Sequence, residues 1–390
     1  MKTEVGIIGA GPAGLMLARI LQQHGIDSVI IERRSRDYVL KRIRAGVLEQ
    51  GTVDTLTAYG VGARLASEGI PIDAMQIRWN RERHFIKILD EDGRRLTTYG
   101  QAKVVRDLIE QREADDLPIL FETEVDRLED LEDAPRIRFT QAGAARSLDC
   151  AFVAGCDGYR GVSRGYIPDA RQRSHLREFP FAWFGILAEA APHPDMRGFA
   201  HSTRGLAVAS ARSEAIGRLY LQVGRDFDVD SMSEEEVWDE LDRRMDDGSG
   251  GRLNRGPIIE RNLARLSGFV CESMQHGRLL IAGDAAHIVP PSGAKGLNLA
   301  IGDARVMAEA LRGRLRGNDD RMFADYTRIC LRRVWPTVHW SCQMSDTLHM
   351  FPEQPSFATQ MQYQNLDHWM NTEIGQRRFR TAMLGLPYEV

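Results

Sequence analysis

The sequence predicts an α/β (α+β) fold in which a parallel-sheet unit is interleaved with an antiparallel sheet and followed by C-terminal helices. The first residues run strand, glycine-rich turn, helix and strand, which is a βαβ unit. Alternating apolar residues over 75–98 and again over about 179–223 indicate antiparallel strands. Residues 331–385 show mostly helical patterns broken by proline. A chain of 390 residues suits two interlocked domains.

The N-terminal unit opens with an apolar run over 4–8 that ends in the turn Gly9-Ala-Gly-Pro-Ala-Gly14. A helical pattern follows, and a second strand over 28–31 ends at Glu32. The strongly basic stretch 33–46 is predicted to be a loop, and helices are predicted over 49–59 and 103–113.

Later elements carry equally local signals. Ser233 and Glu236 form the pattern of a capping box, which predicts a short helix ending near Met245. A buried strand over 279–282 precedes Gly283-Asp284, and residues 297–315 are predicted to be helical.

The composition excludes several classes of function. A net charge of -4 and a pI near 6.2 leave no basic field for nucleic acid. The five cysteines show no C-x-x-C pair, and neither they nor the histidines have metal-ligand spacing, so we expect no metal and a reducing compartment. No stretch approaches the roughly 18 apolar residues of a membrane span, and no leader pattern precedes the first strand. We therefore expect a cytoplasmic protein without membrane or nucleic-acid partners.

The glycine-rich turn predicts a dinucleotide site because it lies between a strand and a helix and an acidic residue ends the next strand. Gly9 allows the tight turn, Gly11 lets the backbone approach a pyrophosphate, and Gly14 lets helix and strand pack closely. The helix N-terminus would then face the phosphates, and Glu32 would accept hydrogen bonds from a ribose. The motif alone does not distinguish FAD from NAD.

Two later segments favour FAD. Residues 277–287, GRLLIAGDAAH, resemble the second FAD fingerprint of flavoprotein hydroxylases, and AGCDG at 154–158 resembles their third short motif. RIRAGVLEQG at 42–51 and HIVPPSGAKGLN at 287–298 are similar to the para-hydroxybenzoate hydroxylase family of class A FAD-dependent aromatic hydroxylases. The likeness extends nearly from end to end of the chain.

The resemblance implies a domain organisation. It predicts a discontinuous Rossmann-like FAD-binding domain of the glutathione-reductase type, an interleaved antiparallel-sheet substrate domain, and a C-terminal helical region with dimer contacts. We expect these to comprise, in that order, residues 1–70, 98–178 and 266–330; residues 71–97 and 179–265; and residues 331–390. A homodimer is expected.

The resemblance also implies an activity: NAD(P)H reduces FAD, dioxygen forms a C4a-hydroperoxyflavin, and one oxygen atom passes to a para-substituted benzoate. It places further FAD contacts on Ala13, Arg42, Arg44, Ala45, Gly46, Val47, Gln101, Asp157, Asp284, Gly296, Leu297 and Asn298. The guanidinium of Arg44 suits a pyrophosphate, since it can pair with two phosphate oxygens at once. Arg33, Tyr38 and Arg42 fall in the basic stretch that resembles the family's nicotinamide selector. That positive charge favours NADPH, while Arg160 and Ser267, which depart from the family pattern, leave NADH open.

A carboxylate clamp is predicted on two neighbouring strands. Ser210 and Arg212 are two residues apart and therefore share a strand face, and Tyr220 would face the same way from the partner strand. A cation and two hydroxyl donors at one spot fit a carboxylate, although a surface hairpin with an ordinary arginine is the alternative. In the family the matching residues hold the substrate carboxylate, Val47 and Pro291 lie beside the substrate, and the arginine matching Arg218 approaches the flavin.

The family's proton relay is absent from this sequence. Its two tyrosines and histidine, which deprotonate a phenolic substrate, correspond to Phe199, Met383 and Ile72. An amino substituent donates electrons to a ring without deprotonation, so we expect an electron-rich hydroxy- or aminobenzoate such as 3-amino-4-hydroxybenzoate. Conversion of 4-hydroxybenzoate to protocatechuate is the alternative.

Three hypotheses from other functional classes remain as alternatives. They are a flavoprotein-fold binding protein without catalytic activity, a dehydrogenase that uses NAD alone, and a membrane-associated relative. The last would need an amphipathic C-terminal tail, but the aromatic and methionine residues there have the spacing of core or dimer contacts.

Overall fold

The computed structural model describes residues 1–42, 46–168, 170 and 172–387. Arg44 and Ala45, which were expected at the cofactor, lie outside the described residues. The strands are β1 (Lys2–Ile8), β2 (Ser28–Ile31), β3 (Val47–Leu48), β4 (Ile70–Ile72), β5 (Ala74–Trp79), β6 (Glu82–Lys87), β7 (Leu96–Thr98), β8 (Ile119–Leu120), β9 (Thr123–Glu129), β10 (Arg136–Gln141), β11 (Ala144–Gly155), β12 (Ser174–Ala188), β13 (Gly198–Ala200), β14 (Ala207–Ala211), β15 (Gly217–Gly224), β16 (Ile258–Cys271), β17 (Gln275–His276), β18 (Leu279–Ile281) and β19 (His287–Ile288).

The helices pack around these strands, and the longest ones follow the last sheet segments. They are α1 (Pro12–Gln23), α2 (Arg36–Lys41), α3 (Gln50–Ala58), α4 (Ala63–Glu68), α5 (Gln101–Ala114), α6 (Glu234–Met245), α7 (Gly296–Arg312), α8 (Arg321–Ala324), α9 (Tyr326–Leu348), α10 (Ser356–Asn371) and α11 (Glu373–Leu384). The capping box that opens α6 is present with both of its hydrogen bonds. None of the described helices has both the length and the apolarity needed to cross a bilayer.

The first sheet carries the N-terminal unit and has the order β17-β18-β11-β1-β2-β8, with β9 and β10 continuing from β11. β1 lies in its interior and runs parallel to both β11 and β2. Val5 and Ile7 on one of its faces and Ile8 on the other are all buried, so both faces of β1 are covered. The parallel order brings the ends of β1 and β2, and therefore the glycine-rich turn and Glu32, to one edge.

The second sheet is largely antiparallel, in the order β19-β16-β12-β15-β14-β13-β5-β6, and a small sheet β3-β7-β4 lies apart from it. The expected domain boundaries at 178/179 and 265/266 fall inside β12 and β16, which pair with each other across both positions. These two long strands therefore join the two parts of the molecule, and the division into domains remains a proposal.

The predicted loop over 33–46 is wrong in part, because α2 occupies Arg36–Lys41. The side chain of Ser35 caps this helix by accepting from the Tyr38 amide. The guanidinium of Arg36 pairs with Glu113 on α5, with Nε to Oε1 at 2.7 Å. A six-residue helix has little intrinsic stability, so this tertiary ion pair, which local periodicity does not reveal, supports it.

The second sheet has different partners on its two faces. One face packs against α9, α10 and α11 in a cluster that we call the C-terminal cluster, which includes Phe181, Trp183, Trp340, Trp369 and Phe379. The other face packs against α6 through Ala207, Ala209, Leu219 and Leu221 among others. Strand alternation therefore decides which side chains of β14 and β15 face the C-terminal cluster and which face α6.

Candidate active site

The glycine-rich turn has the geometry of a phosphate cradle. Gly9 has a positive φ of 105°, and a Cβ there would lie 2.4 Å from the Cys156 carbonyl oxygen. A Cβ on Gly14 would lie 2.2 Å from the Gly9 carbonyl oxygen, whereas one on Gly11 would meet nothing within 4 Å. Gly11 caps α1 without a side-chain hydrogen bond, so the first amides of the helix face this open side. The turn therefore fits the pyrophosphate of a dinucleotide.

Glu32 is held beside this turn. Its Oε2 accepts from the Ala10 amide and its Oε1 accepts from the Arg34 amide, both at 2.8 Å. Each carboxylate oxygen has lone pairs left, so the side chain can still accept from a hydroxyl. These two bonds fix its orientation in advance.

The segment 277–287, which resembles the second FAD fingerprint, packs against the start of α1. A Cβ on Gly283 would lie 3.3 Å from the Ala13 Cβ and 3.4 Å from the Ala300 Cβ, so the backbone next to Asp284 packs against the N-termini of α1 and α7. The buried carboxylate of Asp303 accepts from the Gly283 amide at 2.9 Å and contacts His287 Nε2 at 2.5 Å. Sequence reasoning missed Asp303, because a single acid in a helical pattern carries no local signal.

Asp157 stabilises its own turn. Its Oδ2 accepts from both the amide and the hydroxyl of Ser163 at 2.9 Å. Its Oδ1 is buried and has no hydrogen-bond partner among the described residues, and burial raises the pKa of this carboxyl. The carboxyl thus retains an acceptor that a bound group could use.

Asn298 joins α7 to the segment around β3. Its amide group donates to the Val47 carbonyl at 3.0 Å and accepts from the Glu49 amide at 2.9 Å. Gly46 packs so tightly that a Cβ would lie 2.1 Å from the Tyr99 carbonyl oxygen, just before Gln101. Val47, Gln101, Leu297 and Asn298 are therefore held near one another, and Gly296 begins α7 beside them.

A buried ion pair that the sequence did not reveal lies behind these residues. Lys295 Nζ donates to Glu49 Oε1 at 2.7 Å and to the Met383 carbonyl oxygen at 2.6 Å. Burial lowers the pKa of Lys295. The pair ties the start of α7 to α11, which lies about ninety residues further along the chain.

Ser210 and Tyr220 share one face of the second sheet, whereas Arg212, which was predicted on the same strand as Ser210, lies just past the end of β14 at Ala211. Ser210 lies opposite Arg218, and Val208 lies opposite Tyr220. Val208 and Tyr220 both pack on the C-terminal cluster, which shows that this face is turned towards α9 and β3. The Ser210 hydroxyl donates to the Arg218 carbonyl at 3.0 Å, and the Arg218 guanidinium lies 5.3 Å from the centre of the Tyr220 ring.

Arg212 extends from this sheet to the N-terminus of α5. A Cβ on Gly100 would lie 2.1 Å from Arg212 Nη1, so the guanidinium rests against the backbone beside Gln101. Arg212 is half-buried, and among the described residues no acidic side chain forms an ion pair with it. Burial, followed by the neighbouring Arg218, lowers its pKa. An unpaired, partly desolvated cation of this kind suits an anionic ligand.

The three positions that were predicted to correspond to the family's proton relay lie in one apolar environment. Phe199, Ile72 and Met383 all contact or belong to the C-terminal cluster, as does Val47. Phe199 lies between Val208 and Ile77 of the adjoining strands. Pro291, in the short turn Pro291–Gly293 before α7, is exposed. The basic residues Arg33 and Arg42 and the ring of Tyr38 are exposed at the rim of the first sheet.

The comparisons with known proteins agree with this geometry. Residues 2–341 match a family model described as an FAD binding domain. The chain is 39% identical to the p-hydroxybenzoate hydroxylase of Acinetobacter baylyi, over 100% of this chain and 97% of that protein. It is 27% identical to the dialkyldecalin synthase of Streptomyces rugosporus, over 81% of this chain and 66% of that protein.

Solved structures share the fold at low identity. The p-nitrophenol 4-monooxygenase of Pseudomonas putida has a TM-score of 0.78 and 20% identity, with 99% of each chain covered. A Diels-Alderase of pyrroindomycin biosynthesis has a TM-score of 0.79 and 19% identity, with 99% of this chain and 81% of that chain covered. The chain therefore belongs to the FAD-binding domain family and, within it, to the para-hydroxybenzoate-hydroxylase-like aromatic hydroxylases, flavoprotein monooxygenases that use FAD with NAD(P)H as co-substrate.

Proposed function

We propose that this hydroxylase holds a benzoate by its carboxylate on Arg212, Ser210 and Tyr220. The observation that carries the proposal is the half-buried guanidinium of Arg212, which has no acidic partner among the described residues. A desolvated cation is costly unless it is paired. An aryl carboxylate supplies the charge, the Tyr220 hydroxyl supplies a further hydrogen bond, and the Ser210 hydroxyl supplies another once it turns away from the Arg218 carbonyl.

The cofactor would be held by the groups that surround the glycine-rich turn. Gly9, Gly11 and Gly14 would accommodate the pyrophosphate, Glu32 a ribose, and the backbone from Gly296 to Asn298 the flavin ring. When bound, FAD supplies the transfer of electrons from NAD(P)H to dioxygen, from which one oxygen atom enters the aromatic ring. With FAD in place, the apolar side chains of Val47 and Pro291 would exclude water beside that ring.

For the substrate itself, we propose an electron-rich hydroxy- or aminobenzoate such as 3-amino-4-hydroxybenzoate. Phe199, Met383 and Ile72 offer no group that can accept a phenolic proton. Tyr220 does not replace them, because burial raises its pKa and keeps the hydroxyl protonated. A ring that an amino group already activates needs no such acceptor.

The second candidate is 4-hydroxybenzoate, with protocatechuate as product. It is supported by the full-length likeness to the Acinetobacter enzyme, which is named for that substrate. The intact set Ser210, Arg212 and Tyr220 would hold the same carboxylate, so the two candidates differ only at the opposite end of the ring.

Product analysis across a panel of benzoates tests the two candidates. The holoenzyme is given 4-hydroxybenzoate, 4-aminobenzoate or 3-amino-4-hydroxybenzoate with each nicotinamide nucleotide, and oxygen uptake and hydroxylated product are measured together. We expect the amino compounds to be converted faster and with less hydrogen peroxide. Faster coupled formation of protocatechuate than of any aminated product would overturn the amino proposal.

Two further expectations have structural support. NADPH is the proposed nucleotide, because the exposed Arg33 and Arg42 suit a 2′-phosphate. The ratio of kcat/KM for NADPH to kcat/KM for NADH measures this preference.

A homodimer is proposed because Phe357 and Ile374, on α10 and α11, are each 76% exposed. Light scattering after size-exclusion chromatography measures the mass of the assembly.

A further inference from the structure

We propose that the C-terminal end of α9, together with His349, is a bracket that sets the distance between the Pro291 turn and the substrate clamp. In this arrangement Ser345, His349 and Trp183 are positioning residues for ring hydroxylation. The inference rests on the clamp proposed above, because it concerns how that clamp is placed relative to the flavin side of the site.

On the flavin side, the bracket is a pair of buried hydroxyls. The Oγ atoms of Ser292 and Ser345 lie 2.9 Å apart, and Ser345 Oγ donates to the Ser341 carbonyl at 3.0 Å. Since a hydroxyl has one proton to donate, Ser292 is the donor to Ser345. Ser292 follows Pro291 directly, so this bond fixes the turn beside the flavin to α9.

His349 is the middle of the bracket. It is fully buried, its Nδ1 lies 2.9 Å from the Ser345 carbonyl oxygen, and its Nε2 lies 2.6 Å from Trp183 Nε1. Because an indole nitrogen only donates, Nε2 must be the acceptor and Nδ1 must carry the ring proton. The imidazole also stacks on Phe181, with ring centres 4.2 Å apart. Both nitrogens are therefore committed to fixed partners.

On the clamp side, two strands of the second sheet, β12 and β15, and the residue that follows β13 hold the same segment. The Trp183 ring centre lies 4.7 Å from that of Tyr220. Gln222, two residues after Tyr220, bonds to both the amide and the carbonyl of Met350. His201 Nδ1 contacts the Leu348 carbonyl oxygen at 3.0 Å. These contacts couple the position of residues 348–350 to the position of the clamp.

The physical reason for such a bracket is the precision that oxygen transfer demands. The Pro291 turn precedes α7, whereas the clamp lies on β14 and β15, so nothing local in the sequence sets their separation. A displacement of the ring by about 1 Å is enough to cost a large part of the rate. When transfer fails, NAD(P)H, a proton and dioxygen still yield NAD(P)⁺ and hydrogen peroxide. Loss of the bracket should therefore appear as uncoupling.

Two substitutions cut the bracket at its two ends. Ser345→Ala removes the hydroxyl bound to Ser292 and leaves the carbonyl that His349 uses, and Trp183→Phe removes the indole donor while keeping an apolar ring. Ser341→Ala is the matched control, because the Ser341 hydroxyl lies on the same helix but has no hydrogen-bond partner among the described residues. The readout is hydroxylated product formed per NAD(P)H oxidised at saturating substrate.

We expect this ratio to fall at least threefold in Ser345→Ala and Trp183→Phe, with KM changed less than twofold, and to stay at the wild-type value in Ser341→Ala. Hydrogen exchange of the flavin-free protein is a second readout: amides 292–296 should exchange faster in Ser345→Ala than in Ser341→Ala. Wild-type coupling in both bracket variants would overturn the inference. An Arg212→Lys variant separates it from the clamp, because unchanged aryl-acid affinity there would refute the clamp instead.

Discussion

The glycine-rich turn and the proposed carboxylate clamp are built in opposite ways. The turn uses backbone atoms of residues 9–14 and one acid at position 32, and a Cβ at Gly9 or Gly14 would strike neighbouring backbone. The clamp uses side chains of β14 and β15 that are placed by Gly100, by Trp183 and, through His349, by α9. Backbone geometry tolerates almost no change, whereas side chains can be exchanged one at a time. This difference would explain how a chain can keep its FAD motifs while the side chains at the proposed substrate site change.

Gly14→Ala should have the largest effect, because it disrupts the glycine-rich turn proposed to bind FAD and leaves the clamp unchanged. The new Cβ would lie 2.2 Å from the Gly9 carbonyl oxygen, and backbone cannot move aside as a flexible side chain can. We expect FAD affinity to fall about 100-fold or more, which corresponds to roughly 3 kcal/mol. Fluorescence titration of the flavin-free protein measures it. Gly165→Ala is the control, since a Cβ there meets nothing within 4 Å; equal FAD affinity in the two variants would contradict the cradle.

Arg212→Ala should selectively weaken the binding of aryl acids at the proposed clamp. Removing the guanidinium deletes charge-assisted hydrogen bonds worth about 1.5–3 kcal/mol each, so aryl-acid binding should weaken about 10- to 150-fold. FAD binding should not change. Titration of the holoenzyme with benzoates, followed by flavin absorbance, gives the dissociation constant, and Arg265→Ala, at an exposed ion pair with Asp226, is the control. A comparable loss of FAD affinity would show that the FAD-binding turn and the clamp are not independent.

Acidic pH should lower the free energy of unfolding, because neutral histidines are buried beside the proposed clamp. Burial lowers the pKa of His349 from 6.5 to about 3. The unfolded chain binds this proton below pH 6.5 and the folded chain does not, so the stability contribution is complete above pH 6.5 and is lost as the pH falls towards 3. At pH 5 the loss from this group is about 2 kcal/mol.

Urea denaturation at pH 7 and pH 5 measures this loss, with His349→Gln for comparison. The variant should show a smaller drop in the free energy of unfolding between the two pH values. His201, whose pKa burial also lowers, adds to the drop in both proteins. An identical pH dependence in variant and wild type would mean that His349 takes up its proton in the folded state.

The smallest effect is expected from restoring hydroxyls to the relay. A Phe199→Tyr and Met383→Tyr double variant introduces polar groups into the C-terminal cluster where the family has tyrosines. If deprotonation limits 4-hydroxybenzoate turnover, its kcat should rise about tenfold, which is less than the roughly 100-fold or more that a fully positioned proton transfer contributes. Turnover of amino substrates should not rise. A parallel increase for both substrates would show that the hydroxyls act on something other than the phenolic proton.

Local patterns predicted the elements that depend on neighbouring residues. The helices around 49–59, 103–113 and 297–315 appear as α3, α5 and α7, and the two clamp strands appear as β14 and β15. The helix predicted to reach 315 ends at Arg312, where a π-helical turn from Gly313 to Gly317 follows. α2 was missed because an ion pair to a distant helix supports it, and periodicity carries no information about such a partner.

The sequence by itself determined the dinucleotide turn and the family, and it predicted the side chains of the proposed clamp. Each of these depends on residues a few positions apart, whose steric and hydrogen-bonding needs are expressed within one turn or one strand. Only the tertiary structure decided that Lys295 meets Glu49, that Asp303 holds Gly283, and that His349 connects Ser345 to Trp183. Apart from the short one between His349 and Ser345, those contacts join residues from 20 to 246 positions apart. They form because burial makes an unpaired polar group costly, and which partner satisfies it is settled by packing rather than by proximity along the chain.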